Sequence, residues 1–311
     1  MEGDRSVLSV SVFPGGFNWG LYVGADKGFF ARHGIAVSIV GTPNSVSQMT
    51  EFSQGRFEIA MTAVDNIVAY VEGQGEAPIG AQPEFCAVMG SDNGFLSVVA
   101  RPEVRRIADL AGRILSVDAL TTGYAFVLYD ILQRHGLGRD DYTVRRVGGM
   151  IQRYESLLAG NEAATLLSAP YNAIAKTNGL NELVRASAVI GPYQGNVAAV
   201  RRSWAQANRE KLVGFIRGYR EAIGWLYAPG NRAEAIALLL RNQPQMAPAV
   251  AEQSYVLLLD PADGFYRDCR INEAGMACVL RLRSAYGEPK KDLADPGKYC
   301  DRSYFEQAVS A

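Results

Sequence analysis

A hydroxyl-rich turn stands where a predicted strand gives way to a predicted helix. Thr121, Thr122 and Tyr124 surround Gly123, a few residues after the β-rich run 114–117. A helix that begins here presents hydroxyl and free backbone N–H groups at the positive end of its dipole. Capping of the helix explains one threonine, so the second indicates a ligand contact. We therefore predict that this turn binds the anionic head group of a small ligand.

Arg153 is a second candidate for anion binding. It follows the β-rich run 142–147 and the pair Gly148-Gly149, and it stands at the start of a predicted helix. A guanidinium group can hold a carboxylate or a sulfonate through two parallel hydrogen bonds. An exposed arginine on the protein surface is the alternative interpretation, and the sequence leaves both open.

Polar and aromatic residues follow other predicted strands in the same manner. The loops at the carboxyl ends of parallel strands form the ligand crevice of an open α/β fold. On this ground the predicted ligand-binding residues also include Phe17, Asn18 and Trp19 after the strand 7–13, Ser45 after 35–40, Thr62, Asp65 and Asn66 after 57–61, Tyr171 after the strand that Pro170 stops, and Tyr193 between the predicted strands 184–190 and 197–200.

Structural roles compete for the same residues. Large aromatic side chains are usually mostly buried, so Phe17 and Trp19 also suit a position between a helix and the core. Ser45 suits a helix N-cap, and Asp65 suits the first turn of a helix, where its charge favours the dipole. Both interpretations stay open for each residue.

The order of the segments indicates the fold class. Between Gly20 and Ser45, apolar residues at roughly helical spacing run up to Gly28 and Gly34, and a β-rich run follows. A strand precedes this helix, so the unit has the βαβ arrangement of an α/β sheet. A C-terminal helical tail is predicted from residue 208 onward, over 208–227, 232–241, 248–259 and 272–285.

Short motifs carry a resemblance to a known family. They are GADKGFF from Gly24, HGIAV from His33, Gln48, GRFEIA from Gly55, LAGR from Leu110, HGL from His135 and the segment 299–305. Along nearly its whole length the chain resembles the solute-binding proteins of ABC importers in the sulfonate, nitrate, taurine and thiamine-pyrimidine group. It departs from the family pattern at Ala163-Ala164 and Ala169-Pro170, where acidic residues are usual. The resemblance therefore does not identify which ligand of the family this chain binds.

The resemblance implies a two-lobed fold of the periplasmic-binding-protein type II class. Each lobe is then a mostly parallel sheet flanked by helices, and the ligand cleft lies between the lobes. Residues 6–92 and 194–311 would form the first lobe, with the helical tail packed on it, and residues 93–193 the second. By themselves residues 91–94 suggest a tight hairpin, whereas the resemblance favours a hinge there, with the return crossing at 191–196.

The same resemblance implies a small-molecule ligand, an ABC permease as partner and a monomeric receptor. It also implies a periplasmic or extracellular, membrane-associated location. Because Met1 stands almost directly before the first strand, an export leader is then absent from this sequence.

Composition argues against several other classes. The 311 residues carry a formal net charge of −1 and no basic run, which argues against a nucleic-acid partner. No apolar stretch reaches the roughly 18 to 20 residues of a membrane span. Four scattered cysteines and two histidines indicate neither a metal centre nor a cofactor. A disulfide between Cys269 and Cys300 is an alternative to buried free thiols.

The sequence contains no GxSxG, HExxH or GxGxxG motif and no phosphate-binding loop, so we predict a receptor without catalytic residues. The predicted ligand is an organic sulfonate or carboxylate with an apolar or aromatic body. An ionised Asp65 in the pocket would instead favour an amine or a ring N–H. The alternatives are an enzyme of thiamine or menaquinone precursor metabolism on the same fold, and a ligand-sensing domain.

Overall fold

A computed structural model describes residues 6–80 and 83–310 of the chain. Met1 and the four residues after it, on which the expectation about an export leader rests, lie outside the described residues. Among the described residues, no helix is both long enough and apolar enough to cross a membrane.

Ten strands form the framework of the part that the structure describes. In chain order they are β1 (Ser6–Val12), β2 (Ile35–Gly41), β3 (Ile59–Ala63), β4 (Phe85–Gly90), β5 (Ser97–Ala100), β6 (Ile114–Val117), β7 (Thr143–Arg146), β8 (Ala164–Leu167), β9 (Asn181–Arg185) and β10 (Asn196–Arg201). They form two five-stranded sheets with the orders β2-β1-β3-β10-β4 and β7-β6-β8-β5-β9.

The two sheets share one topology. In each sheet four strands run in the same direction, and a single inserted strand, β10 or β5, runs antiparallel to its neighbours. Each inserted strand is the first one after the chain arrives from the other sheet. The predicted pair of mostly parallel sheets is therefore confirmed.

Helices cover both sheets. They are α1 (Trp19–Asp26), α2 (Phe29–Arg32), α3 (Ser45–Ser53), α4 (Val64–Val71), α5 (Gly123–Arg134), α6 (Met150–Leu158), α7 (Tyr171–Thr177), α8 (Ala186–Ile190), α9 (Arg202–Ala207), α10 (Arg209–Leu226), α11 (Arg232–Asn242), α12 (Pro248–Leu258), α13 (Glu273–Tyr286) and α14 (Ser303–Val309). Short 3₁₀ helices lie at Gly16–Asn18, Ile107–Leu110, Arg139–Asp141, Pro229–Asn231 and Pro296–Lys298.

The amino-acid pattern of each strand matches its place in the sheet. Every residue of β5 and β8 is buried, and both strands are continuous apolar or small-residue runs. This is the pattern of a strand covered on both faces. The edge strand β7 instead ends in Arg145 and Arg146, both exposed. The sequence thus distinguishes central strands from edge strands.

The chain passes between the sheets twice, after β4 and before β10, and the two crossings touch. Ser91 donates its backbone N–H to the Asn196 carbonyl at 2.9 Å, and Gly195 donates to the Asp92 carbonyl at 2.9 Å. A Cβ on Gly195 would lie 2.6 Å from the Cα of Gly94, so glycine is required here. Since β4 and β5 belong to different sheets, the tight hairpin is not formed and the predicted crossing is confirmed.

One predicted strand is wrong. The segment expected as a strand over 184–190 leaves the sheet at Arg185, and α8 follows it. β9 lies at the edge of its sheet, with β5 as its single strand neighbour. Backbone hydrogen bonds to one side alone would therefore have to hold a longer strand in the sheet. Val189 and Ile190 pack into the hydrophobic core from the helix instead.

The helical tail packs on both halves of the molecule and not on the first alone. α10 packs against α1 and α2, as expected, but α13 packs against both α4 and α5. Arg281 donates two hydrogen bonds to Asp130 of α5, at 3.0 and 3.1 Å, and Tyr286 donates to Gln133 at 2.6 Å. Helix α13 therefore joins the two halves beside the cleft.

The four cysteines are buried free thiols, so the disulfide between Cys269 and Cys300 is not formed. Burial raises the pKa of Cys86 to about 12 and that of Cys300 to about 11. Thiols with such pKa values are protonated at neutral pH and therefore poor nucleophiles.

Glu72, at the end of α4, anchors the C-terminal segment. Its carboxylate accepts hydrogen bonds from Lys291 at 2.9 Å, from Tyr299 at 2.8 Å and from Lys298. Burial alone would raise the pKa of Glu72, but these donors outweigh burial and bring it to about 2, below its ordinary value of 4.5. The folded state therefore favours the ionised form of the Glu72 carboxyl over the protonated form.

Replacing Glu72 by glutamine should cost about 1 to 3 kcal/mol of the free energy of unfolding near pH 6, because two ammonium groups lose their acid. A folded-state pKa below the unfolded one gives stability that is present above pH 4.5 and lost as the pH falls toward 2. Urea unfolding at several pH values should show the difference between native protein and variant shrinking in that window. Glu252→Gln, which breaks an exposed pair with Arg232, is the control. A Glu72→Gln cost that does not depend on pH would contradict the prediction.

Candidate functional site

A cavity lies between the two sheets. Its volume is about 70 Å³, several times the roughly 10 to 15 Å³ that one water molecule requires. Its walls come from residues that follow strands of both sheets or begin the next helix, which is where open α/β folds bind ligands. The cavity is therefore the candidate binding site.

Seven predicted ligand-binding residues line this cavity. They are Phe17, Ser45, Asp65, Asn66, Thr122, Tyr124 and Arg153. The first four come from the half that contains the first sheet, and the last three from the half that contains the second. The structure thus brings together residues that lie more than a hundred positions apart in the sequence.

Three predicted residues near the first sheet lie elsewhere. Trp19 is fully buried, and its indole N–H donates to the Ala235 carbonyl of α11 at 3.1 Å. Asn18 donates its amide to the Phe13 carbonyl at 2.6 Å, which fixes the turn between β1 and α1. Thr62 points into the core, where its hydroxyl accepts a hydrogen bond from Asn66 at 2.8 Å. Trp19 therefore packs in the core, as the structural interpretation of this residue predicted.

Three predicted residues near the second sheet also do not line the cavity. Thr121 turns outward and donates its hydroxyl to Glu76 at 2.7 Å. Tyr171 packs against Tyr154, with 5.7 Å between ring centroids. Tyr193 lies behind Tyr124, 6.3 Å away, and supports that ring from the protein interior. Of the two adjacent threonines, only Thr122 faces the cavity.

Sequence reasoning missed other lining residues. They include Phe13, Asp118, Met150, Ser168 and Asn196. Phe13, Asp118 and Ser168 directly follow β1, β6 and β8, so the rule that selected the other candidates applies to them equally. Asn196 begins an antiparallel strand, and no sequence signal identified it.

Arg153 is buried, with 3% of its surface exposed, so the interpretation as a surface arginine is wrong. Its Nε donates to the Gly148 carbonyl at 3.1 Å and its Nη1 to the Leu166 carbonyl at 2.5 Å. Among the described residues, no carboxylate oxygen lies within 4.0 Å of its guanidinium nitrogens, the distance that defines an ion pair. Burial lowers the pKa of this guanidinium, and the charge of nearby Asp118 opposes that shift. A buried cation without a paired acid is costly, and an anionic ligand would pair it.

The N-termini of three helices add partial positive charge at the cavity to the charge of Arg153. The N-cap residues of α4, α5 and α6 make no capping bond through their side chains, and Ala63, Thr122 and Gly149 at these positions line the cavity. Free backbone N–H groups at a helix start attract anions. The N-terminus of α3 differs, because Asn44 accepts a hydrogen bond from the Ser47 N–H.

Asp65 is neutralised by an arginine that sequence reasoning missed. Arg283 of α13 donates to its two carboxylate oxygens at 2.6 and 2.5 Å, and both side chains are almost fully buried. Arg283 also donates to the Thr121 carbonyl at 2.8 Å, before the start of α5. The pair joins residues 218 positions apart, so no local pattern reveals it. Arg283 therefore connects the cavity wall of the first half with that of the second.

Polar contacts close the cleft around the cavity. Ser45 donates its hydroxyl to Asp118 at 2.7 Å. Glu76 accepts from Thr121 and forms an ion pair with Arg146. Ser45 and Glu76 belong to the half with the first sheet, and their partners belong to the other half. The structure thus has its two halves in contact across the cleft.

Comparison with known proteins shows the family. The model of the NMT1/THI5-like family matches residues 18–256, which is more than half of the chain. The chain belongs to the NMT1/THI5-like family. A search of curated proteins finds no match.

Solved structures share the fold of this NMT1/THI5-like protein. The nitrate-binding protein NrtA from Synechocystis PCC 6803 has a TM-score of 0.81 at 10% identity, covering 99% of this chain and 89% of its own. The alkanesulfonate-binding protein SsuA from Xanthomonas axonopodis pv. citri has a TM-score of 0.72 at 15% identity, covering 99% and 98%. The desulfurization enzyme DSZB has a TM-score of 0.66 at 12% identity, covering 98% and 99%. Binding proteins and an enzyme therefore share this two-lobed α/β fold.

Gly123→Ala should weaken ligand binding by about tenfold or more, because it disfavours the closed arrangement. A Cβ at this position would lie 2.6 Å from Oδ1 of Asp65, which Arg283 holds in place. Calorimetry with the anion that binds the native protein most tightly should show this loss of affinity. Gly224→Ala in α10, whose Cβ meets nothing within 4 Å, is the matched control. Equal affinities in the two variants would contradict the prediction.

Proposed function

We propose that this protein is the solute-binding component of an ABC-type import system and closes its two lobes on a small organic anion. The observation that carries the proposal is Arg153, a buried guanidinium at the cavity that has no carboxylate of the described residues within 4.0 Å. Family membership and the sulfonate- and nitrate-binding neighbours support the same class of protein.

A sulfonate or carboxylate is the head group that fits best. The guanidinium donates to the Gly148 and Leu166 carbonyls, and its Nη2 also contacts the Met150 sulfur at 3.5 Å. A thioether sulfur is a weak acceptor, so an oxyanion can still bind Nη1 and Nη2. Three uncapped helix starts add N–H donors from other directions. Several converging donors suit a group with two or three oxygen atoms.

Apolar side chains favour an organic body on the ligand. Phe13, Phe17, Tyr124 and Met150 share the walls with the polar groups. A mostly apolar cavity with a few placed polar groups is the usual form of a small-molecule site. Since Arg283 neutralises Asp65, that carboxylate no longer argues for an amine on the ligand.

We further propose that residues 6–92 plus 194–311 and residues 93–193 move as two lobes about the paired crossings. Ligand-driven closure would then bring the walls together, as hinge proteins do. The permease partner, the monomeric state and the periplasmic or extracellular location follow from this role and belong to the proposal. The ligand-sensing alternative shares the same binding site.

An enzyme on this fold remains the competing function because DSZB has the same architecture. The cavity lining, within the described residues, contains neither cysteine nor histidine. The four thiols are buried elsewhere, with raised pKa values. Within the described residues, the cavity therefore offers no thiol or imidazole group for nucleophilic or general-base catalysis.

Thermal stability with a ligand panel tests the binding proposal. The panel contains alkanesulfonates, benzenesulfonate, aliphatic and aromatic carboxylates and nitrate, each organic anion beside its uncharged amide or sulfonamide. A ligand at 100 times its dissociation constant should add about 2.7 kcal/mol to the free energy of unfolding. We expect a saturable shift with one organic anion and none with its neutral analogue.

Two outcomes would contradict the proposal. One is the absence of a shift with every anion on the panel. The other is an equal shift with the neutral analogue, because the guanidinium would then contribute nothing to recognition. Product formation from a bound anion, followed by mass spectrometry, would favour the enzyme.

A further inference from the structure

A buried acid lies where the two crossings between the sheets meet. Asp92 belongs to the first crossing, between β4 and β5, and its side chain is fully buried. It is the one charged residue in the segments 91–94 and 191–196. Within the described residues, no cationic nitrogen lies within 4.0 Å of its carboxylate oxygens. An unpaired charge inside a protein is costly, so hydrogen bonds must stabilise this one.

Donors from both crossings converge on this carboxylate. Oδ1 of Asp92 accepts the backbone N–H of Gly94, in the first crossing, at 2.8 Å. It also accepts the backbone N–H of Asn196 at 3.2 Å and the Asn196 side-chain amide at 3.0 Å, from the second crossing. Burial raises the pKa of Asp92, and these hydrogen bonds oppose that shift because they stabilise the ionised form.

The backbone of Asp92 binds the same junction. Its carbonyl accepts the Gly195 N–H at 2.9 Å and the Gln194 side-chain amide at 3.3 Å. Oε1 of Gln194 in turn accepts the backbone N–H of Asn272, the N-cap residue of α13, at 2.7 Å. Asp92 therefore connects the two crossings with each other and, through Gln194, with the helix that packs against both halves.

Asn196 connects this junction to the candidate site. It lines the cavity, and the hydrogen bonds from its side-chain amide to both carboxylate oxygens of Asp92 fix the orientation of that side chain. A movement of the second crossing relative to Asp92 would therefore displace a wall of the cavity. A ligand that favours the closed cavity would resist the same movement, since coupling between two sites is reciprocal.

We propose that Asp92 is a positioning residue, which holds the two crossings in the closed arrangement and couples them to the cavity through Asn196. The inference rests on the proposed function, since it assumes that two lobes move about the crossings. Asp92 is not among the residues that line the cavity. It therefore acts on affinity through the fraction of the protein that is closed, and not through contact with the ligand.

Three variants of the full chain test this role. Asp92→Asn removes the charge and keeps the shape, and Asn196→Ala removes the side-chain partner and keeps the acid. The double variant Asp92→Asn with Asn196→Asp exchanges the two groups. Asp109→Asn is the matched control, because Asp109 also accepts two backbone N–H groups and one side-chain donor but lies outside both crossings, in the 3₁₀ helix Ile107–Leu110.

Hydrogen exchange of the free protein, followed by NMR, measures opening of the crossings at the backbone amides of residues 94 and 196. In Asp92→Asn these amides should exchange about tenfold faster or more, because local opening sets their exchange rate. The amides of the central strand β8 should change much less. Small-angle X-ray scattering should show a larger radius of gyration for this variant. The exchanged double variant should recover much of the native protection, and Asp109→Asn should keep all of it.

Calorimetry with the alkanesulfonates, benzenesulfonate, carboxylates and nitrate of the panel gives the second readout. For every anion that binds the native protein, Asp92→Asn should raise the dissociation constant by about the same factor, roughly tenfold, because closure contributes equally to all of them. A residue that contacted the ligand would instead change the affinities for different anions by different factors.

Three outcomes would overturn the inference. The first is native exchange at residues 94 and 196 in Asp92→Asn. The second is an equal acceleration at β8, which would mean a general loss of stability. The third is a factor that differs widely between anions. If the crossings open as expected and no anion binds the native protein, the positioning role stands and the proposed function fails. If Asp92→Asn does not fold, Asn196→Ala decides the question, since it should accelerate exchange at the same two amides.

Discussion

Arg283→Met should lower the free energy of unfolding by about 3 to 5 kcal/mol, the largest loss of stability that we expect from one substitution in this protein. The variant leaves the Asp65 carboxylate buried without its cation, since both side chains of the pair are almost fully buried. Methionine fills much of the space of the arginine stem, so the loss reports the charge more than a void. Urea unfolding followed by circular dichroism and tryptophan fluorescence measures it.

Arg281→Met is the matched control on the same helix. Arg281 binds Asp130, but its side chain is 43% exposed and Asp130 keeps a second partner in Arg134 at 2.8 Å. A partly exposed ion pair of this kind contributes about 1 kcal/mol or less. If both variants lost the same stability, the burial of the Asp65 pair would have no energetic consequence and the prediction would be wrong.

The double variant Asp65→Asn with Arg283→Met completes the cycle. Removing both charges should recover a large part of the loss, because no uncompensated charge remains in the core. A double variant whose cost equals the sum of the two single costs would show that the pair contributes through packing and not through charge.

Arg153→Met should weaken binding of the best anion by about 2 to 5 kcal/mol, roughly 30-fold or more, because the oxyanion loses its charged partner in a closed cavity. The stability of the free protein should change much less than the affinity. The variant loses hydrogen bonds to two backbone carbonyls, but it also removes an unpaired charge from the interior. Calorimetry and thermal unfolding of the same samples separate these two effects.

Arg153→Lys keeps the charge and loses the planar fork of the guanidinium. We expect an affinity between those of the native protein and Arg153→Met, since lysine acts as a point charge. An unchanged affinity in Arg153→Met would show that the guanidinium does not bind the anion, and it would contradict the proposed function. An affinity of Arg153→Lys equal to that of Arg153→Met, with full native stability in both, would identify bidentate geometry as the essential feature.

Much of the fold followed from local patterns. β6 begins and ends at the predicted residues, and the helices α10 to α13 of the tail lie within two residues of their predicted bounds. These segments have strong periodicity and clear ends, which local chemistry determines. The segment 186–190 was predicted wrongly because its β-branched residues serve the core from a helix, and that choice depends on the partners available at the sheet edge.

The candidate site was predicted only in part. The rule that ligands bind after the strands placed seven residues at the cavity, including Arg153 and Thr122. The same rule selected Trp19 and Thr121, which lie within two positions of a lining residue in sequence but point into the core or toward Glu76. Neighbouring residues of a turn point in different directions, and sequence alone does not say which one faces the ligand.

The sequence by itself determined the α/β class, the order of the strands and helices, the family resemblance and the kind of residue at each turn. These properties depend on local propensity, periodicity and short motifs, which neighbours in the chain establish. Only the tertiary structure decided that Arg153 is buried without a partner acid, that Arg283 neutralises Asp65, and that Asp118 faces the same cavity. The charge of this site depends on residues as far apart in the sequence as Asp65 and Arg283, 218 positions, and only packing brings them together.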